Sequence, residues 1–176
     1  MRDDKSKLPE LETSIKVLLL FFIIALLLSG ITAFPLEWEL SLLNQIASNP
    51  SLPFSAFHDL VKWIGFVNRG VQETYRQFPF MAYGTDWLAF AHIVIAIAFW
   101  GAFKDPVRNK WVIEFGMITC VLVIPTALIF GSIRGVPFFW QLIDCSFGVF
   151  GFIPLWLCHN AICKSNQLPI TNYSDD

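Results

Sequence analysis

Charge is what this sequence has least of. Asp, Glu, Lys and Arg make up 15% of its 176 residues, against roughly a quarter in soluble domains, which excludes an ordinary water-soluble globular shell. The 12 basic residues never gather into a block longer than a few positions and are outnumbered by 14 acidic ones, so the electrostatic footprint of a nucleic-acid binder is missing. Hydrolase and nucleotide signatures are missing too: no P-loop, G-x-S-x-G, H-E-x-x-H or CxxC pattern occurs. Among enzymes, this leaves chiefly intramembrane lipid enzymes, which use scattered Asp, His and Arg.

Histidine and cysteine are sparse. The three histidines, His58, His92 and His159, do not provide two ligands at one depth on different spans, as bis-histidine haem needs, and no cofactor is expected. Cys120, Cys145, Cys158 and Cys163 fall in predicted helices or at a helix end, and none falls in the outer segment described below. They read as thiols packed as small hydrophobes, not as a disulfide framework. Cys158, His159 and Cys163 crowd one helix end, but Cys158 and Cys163 stand about 140° apart on a helix and a fourth ligand is lacking, so no metal is expected.

Apolar residues are what the chain has in excess: 55% of the sequence is hydrophobic and 16% aromatic, with a mean hydropathy of +0.57. They are clumped into runs of about twenty, the length a helix needs to cross ~30 Å of hydrocarbon. Spans are expected at 17–34, 85–103, 111–132 and 138–161. The fold class is therefore an all-α, polytopic four-helix bundle in the membrane. The first run has poor small-residue positions for signal-peptide cleavage and reads as an uncleaved anchor.

Between the first two spans, residues 35–84 hold two stretches of helical pattern, about 37–48 and 54–76, punctuated by Pro50 and Pro53. In the second, Phe57, Leu60, Val61, Ile64 and Val67 recur at helical spacing, with His58, Asp59, Lys62, Asn68 and Arg69 on the other side. Trp38, Trp63, Tyr75, Phe78, Phe80 and Tyr83 supply aromatics suited to the headgroup level. A helix lying on the membrane surface is expected.

Lys and Arg fix the orientation. Arg2, Lys5, Lys7, Lys16, Lys104, Arg108, Lys110 and Lys164 lie on one side, and Lys62, Arg69, Arg76 and Arg134 on the other. The excess marks the first side as cytoplasmic: segments 1–16, 104–110 and 162–176 inside, 35–84 and the turn 133–137 outside.

Ionisable groups in or beside a span cost a few kcal/mol, so each asks for a partner or a purpose. Asp86 opens the second span and Arg134 closes the third. His92 and Asp144 lie about 9 Å inward of the outer boundary. Asp86 and His92 are about 120° apart on their helix with Ala89 and Ala96 between them, a sector able to face protein. Asp144 shares a stripe with Gly148 and Gly151, along which a second helix can approach closely. These four residues are the candidate ligand- or ion-binding set. A structural ion pair is expected between Glu114 and Arg108, at the other membrane face. No catalytic residue is assigned.

The phrases YGTDWLAFAHI, DPVRNKWVIEFG, IRGVPFFW and LIDCSFG, within residues 83–155, resemble a family of small bacterial four-span membrane proteins. The resemblance implies a bacterial inner-membrane source and an intact four-span unit, and carries no activity with it. The expected function is binding of a proton, ion or lipid headgroup at an outward-facing polar site. The alternatives are an accessory subunit docking onto other membrane subunits through residues 36–83, and an intramembrane lipid-modifying enzyme. The expected partners are the lipid bilayer and, for the accessory reading, those subunits.

Overall fold

The computed structural model describes residues 3–53 and 57–167, with side chains over 12–53 and 57–164. All regular structure among them is helical: α1 (Asp3–Ala33), α2 (Leu36–Ala47), α3 (His58–Gln77), a single 3₁₀ turn (Pro79–Met81), α4 (Ala82–Lys104), α5 (Lys110–Ile133) and α6 (Phe138–Gln167). Four helical stretches are long and apolar enough to cross a bilayer: Glu12–Ala33, Pro79–Lys104, Lys110–Ile133 and Phe138–Lys164. In hydrocarbon no water satisfies the backbone, so apolar runs of this length close their own hydrogen bonds as helices. The helices continue where the hydropathy stops. α1 carries the Lys16–Glu12 pair at 2.7 Å, one turn apart, on its polar end.

The chain divides into two compact units, residues 1–25 with 96–176 and residues 26–95. In the first, Ile15, Leu19 and Ile23 repeat every four residues along α1 and are buried, as are Phe99 and Ala102 of α4, Ile113 and Cys120 of α5, and Leu155, Cys158 and Ile162 of α6. Phe22 meets Phe99 with ring centroids 4.7 Å apart. Small residues set the helix spacing, because apolar burial gives helices little reason to associate inside lipid and close packing must supply it. A Cβ on Gly148 would lie 2.5 Å from the carbonyl oxygen of Cys120, and one on Gly116 would lie 2.5 Å from Cζ of Phe99. α5 and α6 run on through Pro125 and Pro154.

Two polar turns join the helices of this unit. After α5, Gly135 takes φ +70°. The Val136 N–H donates to Gly131 O at 2.9 Å and the Gly135 N–H to Ser132 O, the paired bonds of a Schellman ending that only a left-handed residue permits. Gln141, buried in the first turn of α6, donates from Nε2 to Val136 O at 2.8 Å. After α4, Asn109 Nδ2 donates to Gly101 O and Asp105 O at 3.0 and 2.9 Å. Asp105 accepts from the Arg108 N–H at 2.9 Å.

In the second unit α2 and α3 form a hydrogen-bonded hairpin. Gln72 Nε2 donates to Ser41 Oγ at 2.9 Å, and Ser41 Oγ approaches Asn68 Oδ1 at 3.3 Å. Asn68 was expected on the solvent side of α3; it is buried instead, because the polar side chains of α2 give it a partner. His58, Asp59, Lys62 and Arg69 are exposed as the pattern implies. The Tyr75 hydroxyl and Thr85 Oγ1, 3.2 Å apart, tie the last turn of α3 to the first turn of α4. Within the same unit Gly30 of α1 lies against Ala89 and His92: a Cβ there would be 3.0 Å from Ala89 O and 3.1 Å from His92 Cβ.

Candidate functional site

Asp86 sits in the second turn of α4, which follows directly on the 3₁₀ turn Pro79–Met81. Tyr83 and Phe90 stand three and four residues from Asp86 on the same helix and share its face, and Trp87, next to Asp86 in the chain, is four residues from Tyr83 and three from Phe90. Together the four residues line an open groove of about 210 Å³. The rings stand nearly perpendicular in sequence: Tyr83 and Trp87 meet at 89° with centroids 5.9 Å apart, and Trp87 and Phe90 at 87° with centroids 5.6 Å apart. All three rings are more than half exposed. A carboxylate beside aromatic faces, whose quadrupoles are negative, is chemistry that attracts a cation and repels a phosphate.

His92 lies deeper on α4, half-buried, with Nδ1 2.8 Å from Leu88 O. That bond uses the ring nitrogen within its own helix and leaves Nε2 for any other contact. No hydrogen bond or ion pair among the described residues joins Asp86 to His92. Ala89 and Ala96, expected on the protein-facing sector, are buried.

Arg134 and Asp144 belong to the other unit. Arg134 is exposed at the end of α5, its backbone N–H bonded to Phe130 O. Asp144 is half-buried on α6, one turn before Gly148, whose close contact with Cys120 marks the α5–α6 seam. Within this unit no ion pair among the described residues joins the two.

Comparison with family models, curated proteins and solved structures found no match to this chain.

A second group of titratable side chains lies where α5 begins and α6 ends. Glu114 Oε1 accepts from Lys110 Nζ at 3.3 Å and lies 3.2 Å from His159 Nε2. Cys163 Sγ lies 3.9 Å from His159 Nδ1. Glu114 is held by Lys110 and His159, and Arg108, the partner expected of it, forms no ion pair with it among the described residues; its backbone N–H donates to Asp105. From Glu114 an open apolar groove of about 370 Å³ runs past Met117, Ile118, Val121, Leu122 and Phe152.

Sequence reasoning missed His159 as a partner of Glu114, although the signal was present. Lys110 and Glu114 are four apart, His159 and Cys163 are four apart, and a tight α5–α6 turn makes the two helices antiparallel. Residues near the start of one then match residues near the end of the other in depth. The cluster satisfies itself: one carboxylate oxygen serves both basic partners, which fixes the helix ends relative to each other. The cysteines are all free, with Cys158 buried and 3.6 Å from Ile15 O.

Proposed function

We propose that this four-span protein binds a lipid headgroup at the membrane–water boundary, with Asp86 at the centre of the site. The observation that carries the reading is the groove of Tyr83, Asp86, Trp87 and Phe90. A carboxylate at the start of a spanning helix stands among exposed aromatic side chains of the kind that settle at the headgroup level. An open groove on the face of one helix suits a molecule that arrives laterally in the bilayer better than it suits a dehydrated ion, which needs an enclosing shell of ligands. The Lys and Arg distribution supports an outward-facing site, with residues 1–16 and 162–176 cytoplasmic. The resemblance of residues 83–155 to small bacterial membrane proteins supports a bacterial inner membrane as its location.

A ligand that binds only the folded protein raises its stability with concentration. Titrating a mixed polar lipid extract into the detergent-solubilised protein is expected to raise its unfolding midpoint, with the response lost in Asp86→Asn and Trp87→Leu and kept in Asp144→Asn. An undiminished response in both α4 variants would overturn the reading.

A second reading, an accessory subunit docking through residues 36–83, draws on α2. Trp38, Leu42, Leu43 and Ile46 of that helix are exposed, although the hairpin with α3 is otherwise well bonded. It predicts stoichiometric co-purification of another membrane protein in mild detergent, lost on Trp38→Glu with Leu42→Glu. A protein that purifies alone at native expression would remove it.

A further inference from the structure

The groove at Asp86 is chemically one-sided. Its single charge is negative, and its walls are the rings of Tyr83, Trp87 and Phe90. A phosphate or carboxylate entering it would meet like charge and the negative faces of the rings; an ammonium would meet opposite charge and favourable faces. We propose, resting on the lipid-headgroup reading above, that the headgroup held here is that of a zwitterionic lipid. Its ammonium sits against Asp86 and the Tyr83–Trp87–Phe90 corner.

Three features of the same unit support this ligand class. Tyr83, Trp87 and Phe90 are all more than half exposed, so a compact cation can reach an open ring face. The interfacial preference of Tyr and Trp explains aromatic residues at this depth, but it does not explain a carboxylate placed within their row. The Tyr75–Thr85 hydrogen bond holds the end of α3 to the start of α4, and the next residue of α3, Arg76, is exposed. The phosphate of the same headgroup is assigned to this exposed cation, one residue along α3 from the Thr85 contact. Arginine is the side chain best suited to that phosphate.

The test uses the full chain, purified in mild detergent and exchanged into mixed micelles of defined lipid. Native mass spectrometry counts the lipid molecules retained for phosphatidylethanolamine, phosphatidylcholine and phosphatidylglycerol of matched acyl chains. The wild type is expected to retain the two ammonium lipids roughly fivefold or more over phosphatidylglycerol, the order of effect an exposed cation–π contact and one ion pair supply. Asp86→Asn and Trp87→Leu are expected to remove the preference, and Arg76→Gln to weaken retention of all three lipids. Circular dichroism checks that each variant is folded, and Tyr83→Phe, which keeps the ring, is expected to keep the preference.

Equal retention of all three lipids by the wild type, falling in Trp87→Leu, overturns the ammonium assignment while leaving a lipid site in place. A headgroup preference that persists unchanged in both Asp86→Asn and Trp87→Leu overturns it as well. Retention of no lipid by the wild type removes both this inference and the reading on which it rests.

Discussion

Replacing Gly148 with alanine tests one of the two tightest glycine contacts among the described residues. The added Cβ would lie 2.5 Å from Cys120 O and 3.5 Å from Val123 Cβ. Restoring ordinary van der Waals contact with that oxygen requires a shift of about 0.9 Å. The obstacle is a backbone carbonyl in the middle of α5, which cannot rotate aside, so α6 must move as a whole. Overpacking of this kind costs about 1–3 kcal/mol, and the rigid obstacle puts Gly148 at the upper end. Against this, alanine is favoured over glycine in a helix by about 1 kcal/mol. The expected net loss is about 2 kcal/mol. Gly70 in α3 supplies the comparison, since a Cβ there meets nothing within 4 Å and Gly70→Ala should stabilise by about 0.5–1 kcal/mol. Titration with SDS in mixed micelles, followed by far-ultraviolet circular dichroism, reads both midpoints while avoiding the irreversible heating common in membrane proteins. If Gly148→Ala unfolds at or above the wild-type midpoint, the close α5–α6 seam is refuted.

Gln141→Ala removes the buried donor to Val136 O and opens space beside Gly131; it should cost about 1–2 kcal/mol by the same titration, and an unchanged midpoint would count against the turn as described. Asn109→Ala removes two bonds to the carbonyls at the end of α4 and should cost about 1–2 kcal/mol, with Asn109→Asp failing to restore them because a carboxylate cannot donate. Glu114→Gln should leave the midpoint nearly unchanged, since its side chain is 36% exposed and pairs of that kind are weak; a fall as large as that of Gly148→Ala would show that the Lys110–Glu114–His159 cluster carries more than local packing. Ser41→Ala removes the hydroxyl shared by Asn68 and Gln72 and should raise amide exchange in α2 and α3 while leaving the α5–α6 hairpin protected. Uniform exchange changes would argue against separate local units.

The four spanning helices were legible because the constraint behind them is severe: a run of about twenty apolar residues in lipid has no alternative to a helix. The amphipathic pattern of α3 was legible for a related reason, since its period needs no partner to be recognised. Reading stopped where structure depends on a partner. Asn68 is polar and was placed with the polar face. Its burial follows from Ser41, 27 residues earlier, and nothing in the local pattern marks that pairing. The stripe of Asp144, Gly148 and Gly151 was visible, and Gly148 and Gly151 do lie against α5 at Cys120. Which helix fills a small-residue groove is a tertiary fact that spacing does not contain.

The same distinction separates the two charged groups at the membrane boundaries. Glu114 is held by Lys110 of its own helix and by the His159 ring of α6, and that geometry explains its presence. Asp86 shares its groove with three aromatic side chains, and no hydrogen bond or ion pair to its carboxylate is found among the described residues. A charge at the edge of a span is costly unless something balances it. The helix start gives little of that balance to a residue in the second turn. The aromatic row adds an attraction for cations, and the proposed ammonium would use the carboxylate and the rings at once.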